Sequence, residues 1–240
     1  RDLQIYGDWE KQTWAYCDEI VCGSEYVKKT LKQQGILNTK VVRTVAPDVL
    51  YERRDFSSSI GNSKDLVVGF VGTVGLRKGA PYFFNVAKRF KNIEKVRFEM
   101  VGPVCLNRRG VRLNENVNLK GRVSRSSVSG CLEKMDIFLF PSTCEGSASA
   151  VVEAMARGLP VVCSPNSGSP VKDGEDGFIC EYDDIDRMEE CLRILLTDHV
   201  LRLEMGKRAK ENSLKYDERA YAQELCKALP CCQNFDEHFE

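Results

Sequence analysis

The sequence has no apolar run approaching the roughly 18 to 20 residues of a membrane-spanning helix, and no charged start followed by the apolar core of a secretory leader. It has no excess of charge of either sign. Lys plus Arg number 35 and Asp plus Glu number 35, so net charge draws the surface as a whole neither to nucleic acid nor to anionic lipid. A local basic patch remains compatible with that balance. Histidine is nearly absent, with His199 and His238 alone, and no CxxC pair occurs, which leaves the 11 cysteines without the spacing of a zinc site. Their odd number and their scatter through apolar stretches (Cys22, Cys163, Cys180, Cys191) read as reduced thiols that pack as small hydrophobes in a cytoplasmic protein. Cys231 and Cys232 stand apart near the end, as a pair open to lipidation or oxidation. No Asn-x-Ser/Thr acceptor occurs, in keeping with that location.

What is present is an ordinary globular composition, 240 residues with 42% hydrophobic and 29% charged, enough for one large domain and an appendage. Arg1 rather than Met opens the chain, which reads as a cut piece or a processed start. Residues 1–16 carry Tyr6, Trp9, Trp14 and Tyr16 among charges and suggest an aromatic-bearing helix. A strand at 18–22, a helix at 25–34 capped by Ser24 and closed by Gly35, and a strand at 40–45 ended by Ala46-Pro47-Asp48 form a small βαβ-like piece. The polar stretch 51–65 reads as a linker or a surface loop.

From Leu66 onward near-continuous apolar strands alternate with helices. Strands are expected at LVVGFVG, VRFEMVG, 117–119, DIFLFP, PVVCS and GFICE, and helices at 81–90, 126–134, 149–157 and from Ile185 on. Strands without polar alternation are buried on both faces, so this is a doubly wound parallel α/β sheet, which binds ligands beyond the carboxyl ends of its strands.

Those ends carry the informative residues. Thr73-Val74-Gly75-Leu76-Arg77-Lys78-Gly79 is a glycine-bearing turn with two cations before a helix, either a phosphate cradle or an ordinary surface turn. Gly102-Pro103 and Lys120-Gly121-Arg122-Val123 occupy loop positions that suit a flat base. Glu145 and Glu153 stand eight apart around a helix start made of Gly146, Ser147, Ala148 and Ser149, small residues that let backbone N–H groups approach an anion. Glu153 suits hydrogen bonding to a diol such as a ribose. Its plainer reading is a helix-surface carboxylate paired with Arg157 at i,i+4.

Taken together, EGSASAVVEAMARGLPVV with its Glu-x7-Glu, the preceding DIFLFPS, GTVGLRKG, Asn166-Ser167-Gly168 and DGEDGF resemble the C-terminal domain of a GT-B fold, family 4 (group 1) retaining glycosyltransferase, from about Leu66 to Leu225. CDEIVCGSEYVKKTLKQQG and KVVRTVAPDV resemble the last βα unit and interdomain linker of that family's N-terminal domain. The resemblance implies a Rossmann-like donor domain over residues 61–215, a remnant of the N-terminal domain and linker over 1–60, and a final helix and tail over 216–240. It implies a nucleotide-diphosphate sugar as donor, with Glu153 on the ribose, Gly102, Arg122 and Val123 framing the base, and Gly75, Arg77 and Lys78 at the diphosphate. Glu145 and the N–H groups of Gly146, Ser147, Ala148 and Ser149 would hold the sugar and the distal phosphate. It implies transfer with retention, no cofactor and no essential metal, the cations stabilising the leaving diphosphate. Glu145 is not assigned as a nucleophile.

The sequence departs from the family pattern in two places: Thr73 stands where many relatives have Arg, and Glu145-Gly146-Ser147-Ala148 replaces the common EGFG, which keeps the residues small and bears on sugar selectivity. Most of the N-terminal domain, with its acceptor site and sugar-facing His, is not in the sequence, and neither His199 nor His238 stands in that position. The acceptor, a glycan, lipid or protein, is therefore unspecified. Expected partners are a nucleotide sugar and a missing N-terminal domain or partner chain, without nucleic acid and with room for a membrane-peripheral placement. The alternative is a non-catalytic nucleotide-binding or regulatory module on a GT-B core; an epimerase or phosphorylase of the same fold is a third reading.

Overall fold

The computed structural model describes residues 2–43, 45, 65–106 and 116–229, with the backbone alone for residues 2–6. The strand-breaking Ala46-Pro47-Asp48, nearly all of the linker stretch and Cys231-Cys232 lie outside the described residues.

The main body is built on six parallel strands, β3 (Leu66–Val71), β4 (Val96–Val101), β5 (Val117–Gly121), β6 (Ile137–Phe140), β7 (Val161–Cys163) and β8 (Gly177–Ile179), in the spatial order β5-β4-β3-β6-β7-β8. The central strands are buried without alternation: all of β6 and the last four residues of β3 are inside, because helices cover both faces. The helices are α3 (Ala80–Arg89), α4 (Arg125–Leu132), α5 (Ser149–Ala156), α6 (Ile185–Thr197) and α7 (His199–Ser213). Phe70 stacks on Phe140 with ring centroids 5.4 Å apart and meets Phe83 edge-on at 5.8 Å, tying β3, β6 and α3 together. A Cβ on Gly69 of β3 would come within 1.9 Å of the Met135 sulfur, so Met135 packs directly on this strand and would have to shift for any larger residue. β3 pairs with β4 from Leu66↔Val96 to Val71↔Val101 and with β6 on its other edge. The strand order therefore reverses between β3 and β6, which opens a crevice above their carboxyl ends.

Ahead of this body lie α1 (Asp2–Ala15), β1 (Ile20–Cys22), α2 (Glu25–Gln33) and β2 (Thr39–Val41). β1 and β2 pair in parallel across α2, the expected βαβ piece. Ser24 caps α2 by accepting the Val27 N–H, and Gly35, at φ +84, lies just past its end. β2 is shorter than the expected 40–45, since β1 offers it three paired residues, Ile20 to Cys22. Arg43 reaches over to donate to the Gly168 carbonyl at 3.3 Å.

The last described helix, α8 (Glu218–Ala228), begins two residues later than the expected Tyr216, because Asp217 caps it through the Ala220 N–H. Tyr216 lies in the preceding turn, packed on Val152 and Ala156 of α5 and under the Arg43 guanidinium. The far end of α8 returns to the N-terminal unit, where the Ala228 carbonyl accepts from Lys40.

Candidate functional site

Two turns meet at the switch point. Gly72 and Gly102 follow β3 and β4 with φ of 145° and 142°, and a Cβ on Gly102 would lie 2.0 Å from the Gly72 carbonyl oxygen. Gly102 is thus first a requirement of backbone contact between neighbouring strand ends. Gly79, left-handed at φ +74, opens α3, and a Cβ there would meet the Pro141 oxygen at 1.7 Å. The turn after β3 is pressed in this way against the turn after β6. The Arg77 carbonyl seals the junction by accepting from the Thr143 N–H (2.9 Å), the Thr143 hydroxyl (2.9 Å) and the Ser142 hydroxyl (3.0 Å).

This docking brings Glu145 to both cations. Its Oε1 lies 2.9 Å from Lys78 Nζ and 3.1 Å from Arg77 Nη1, with the Ser142 hydroxyl at 3.4 Å. The Glu145 side chain is 9% exposed and that of Lys78 18%, while Arg77 is 62% exposed, so one cation is held inside and the other faces solvent. Lys78 Nζ also sits 5.3 Å over the Phe140 ring. The loop carrying Glu145 is fixed from the far side: its N–H donates to the Asn166 carbonyl, Asn166 Nδ2 donates to the Thr143 carbonyl, and the Ala148 N–H donates to the Ser167 carbonyl.

α5 starts at Ser149, shortly after Glu145 in the chain. Its cap residue Ala148 has no side-chain oxygen to bond the first turn, so the leading N–H groups keep the partial positive charge of a helix N-terminus. Gly146 has nothing within 4 Å of where a Cβ would be, leaving open space at that loop. Gly75 is similarly roomy, its nearest neighbour being the Cys105 Cβ at 3.9 Å.

Glu153, 8% exposed, is gripped by Arg125 at the start of α4, with Nη2 to Oε1 2.8 Å and Nη1 to Oε2 3.1 Å. The plainer reading of Glu153, a surface pair with Arg157, does not hold in the geometry. Arg157 turns towards α4 and donates to the Ser129 hydroxyl, because α4 lies along that flank of α5. A narrow cleft between the two helices is lined by Arg125, Val128, Ser129, Glu153 and Arg157. Val123 packs partly buried against the core, and its neighbour Arg122 is exposed. Sequence reasoning missed Arg125, Ser142 and Asn166 as parts of this assembly. Asn166 stood in a quoted motif, whereas nothing in the sequence ties Arg125 to a glutamate 28 positions away.

Among the described residues there is no group of three or more His, Cys, Asp or Glu side chains that could hold a metal ion, and no helix long and apolar enough to cross a membrane. The described cysteines are free thiols. Burial pushes the Cys163 thiol up to about 11, against the smaller lowering effect of the Ser169 and Ser167 hydroxyls. Cys105 and Cys144 are exposed.

A doubly wound parallel sheet with a small βαβ unit ahead of it is the architecture of the C-terminal domain of a GT-B fold. The family described as glycosyl transferases group 1 matches residues 52–212, and the chain belongs to it. It is 30% identical over 210 residues to an uncharacterized glycosyltransferase of Haemophilus influenzae, covering 83% of this chain and 58% of that protein. Among solved structures it superposes on TarM with a TM-score of 0.75 at 20% identity, covering 91% of this chain and 45% of TarM. It also superposes on Anabaena HepE in complex with UDP and glucose, with a TM-score of 0.70 at 18% identity, covering 89% of this chain and 63% of HepE. The chain spans 46% to 58% of the length of the first curated relatives it matches.

Proposed function

We propose that this chain is the donor-binding half of a retaining glycosyltransferase and that its ligand is a nucleoside-diphosphate sugar. The observation that carries the reading is the meeting of Lys78, Arg77 and Glu145, the last on the loop that leads into the uncapped first turn of α5. A diphosphate entering there would exchange Glu145 for its own oxygens at the two cations and receive the leading N–H groups of α5. Gly75, Gly146, Ser147, Ala148 and Ser149 leave the backbone accessible for this approach. Glu153 would accept the ribose hydroxyls, with Gly102, Arg122 and Val123 at the base. The UDP and glucose bound to HepE support this choice of ligand class.

In the transfer step the bond from the anomeric carbon to the diphosphate oxygen breaks and a bond to the acceptor hydroxyl forms on the same face, the acceptor proton passing to the departing phosphate. Lys78, Arg77 and the α5 N-terminus would stabilise the charge that develops on that phosphate. Glu145, released from the cations, would face the sugar hydroxyls. We assign the acceptor site to a further domain or partner chain joined through residues 1–60, the donor domain to 61–215 and the returning helix to 216–240. Exposed Trp9 and Tyr16 on and just after α1, and the contact of α8 with Lys40, support that division. The acceptor is a glycan, lipid or protein, and the placement is cytoplasmic or membrane-peripheral.

Calorimetric titration with UDP, GDP, ADP and CDP tests the reading. One diphosphate should bind selectively, and Lys78→Ala and Glu153→Ala should each weaken it by about tenfold or more, the value of a lost charge-assisted contact. Binding that neither substitution disturbs would remove the site. Joining the chain to the N-terminal half of a relative should then yield sugar transfer; a fusion that binds the donor and only hydrolyses it would count against the proposed division.

A further inference from the structure

Glu153 is not waiting for a ligand. Both of its carboxylate oxygens are taken by one guanidinium, at 2.8 and 3.1 Å, and the side chain keeps 8% of its surface exposed while Arg125 keeps 53%. Arg125 is therefore the solvent-side cover of a carboxylate otherwise enclosed by the packing of α4 against α5. It is the first residue of α4, directly after the loop that carries Arg122 and Val123, and with the base at that loop it would lie on the side from which a ribose reaches Glu153. A vicinal diol needs carboxylate acceptors in nearly the same directions as an end-on guanidinium does. Diol and Arg125 compete for the same oxygens.

We propose that Arg125 is the gate of the ribose subsite and sets which nucleotides open it. This rests on the assignment of Glu153 to the ribose. A ribonucleotide breaks the pair and returns two hydrogen bonds to Glu153, whereas a nucleotide without the diol returns nothing. The pair keeps Glu153 oriented and covered when the site is empty, and each incoming nucleotide bears the cost of opening it. Because one partner is half exposed, that cost is modest and weakens with salt. Arg125 thereby trades affinity for a site closed to water and to ligands that lack a diol.

The test compares wild type, Arg125→Ala, Arg125→Lys and Glu153→Ala by calorimetry, with the preferred nucleoside diphosphate and its 2′,3′-dideoxy analogue, at low and at about 0.5 M salt. Thermal unfolding of each variant reports folding. Arg125→Ala should tighten the ribonucleotide by about fivefold, Arg125→Lys by less, and the gain should shrink at high salt. The dideoxy analogue, which also bears the cost of opening the pair, should tighten by at least as much. Ribonucleotide binding weakened or unchanged in Arg125→Ala, with Glu153→Ala still harmful, would make Arg125 a positioning residue and overturn the gate while leaving the ribose site standing. Indifference of binding to Glu153→Ala would remove the site and the gate together.

Discussion

Lys78 is 18% exposed and has Glu145 at 2.9 Å, with an aromatic ring beneath it. A cation so placed depends on its counter-charge, because desolvation has already taken away part of the water that would otherwise solvate it. Glu145→Gln should lower unfolding free energy by about 1 to 3 kcal/mol, below the cost of breaking a fully buried pair, since Arg77 remains in solvent. Urea denaturation measures this. The same substitution should not weaken a free nucleoside diphosphate, because it releases both cations to the phosphates. It should weaken the intact nucleotide sugar, whose hydroxyls lose their acceptor. A uniform loss of both ligands would place Glu145 in the scaffold rather than at the sugar.

At the scale of elements, the site is made by two βα turns that touch. Gly79 and Gly146 separate the structural from the open positions in them. Gly79 is left-handed, and its Cβ would fall on the Pro141 carbonyl at 1.7 Å, so Gly79→Ala must part the turns. It should cost roughly 2 kcal/mol or more and abolish nucleotide binding. Gly146 has no neighbour within 4 Å of a Cβ, and Gly146→Ala should shift stability by less than about 0.5 kcal/mol. Its effect should appear in donor affinity alone. Melting curves with and without nucleotide distinguish the two; a donor-neutral Gly146→Ala would show that the open space is unused. Ala148→Ser or Ala148→Asp should likewise weaken donor binding on the proposed reading, since either side chain would offer its own oxygen to the leading N–H groups of α5.

Across the whole molecule, the loop between β7 and β8 connects the site to α7 and to the N-terminal unit. Gly168, at φ +61, lies where a Cβ would meet the Gly146 carbonyl at 2.6 Å and Ser24 Oγ at 2.7 Å, so the βαβ piece rests on the same loop that carries Glu145. Farther along, Asp176 is 2% exposed and accepts from the Lys172 N–H and from Asn212 Nδ2 of α7. Burial raises its carboxyl above the ordinary carboxylate range, outweighing those two bonds. A raised native pKa means that the folded state holds the proton longer than the unfolded state, so the stability Asp176 contributes is full in acid and declines as pH rises through its native value. Asp176→Asn lacks this titration. The stability of wild type relative to Asp176→Asn should therefore fall as pH rises above the ordinary carboxylate range, measured by denaturant unfolding at each pH. A difference that grows with pH would reverse the assignment.

The order of strands and helices, the parallel sheet and the glycine turns were legible in the sequence, because burial on both faces removes polar alternation from strands such as β3 and β6, and because caps such as Ser24 act through neighbours a few residues away. Glu145, Lys78 and Arg77 were legible as members of strand-end loops for the same local reason. Their pairing was not, nor was the Arg125 grip on Glu153 in place of Arg157. Those contacts join residues 67, 68 and 28 positions apart and exist only because the sheet sets α4 beside α5 and presses the β3 turn on the β6 turn. Sequence determined which charges stand at the strand ends, through spacing along one element. Tertiary structure alone decided which charge neutralises which, since that depends on distances between elements that no local pattern encodes.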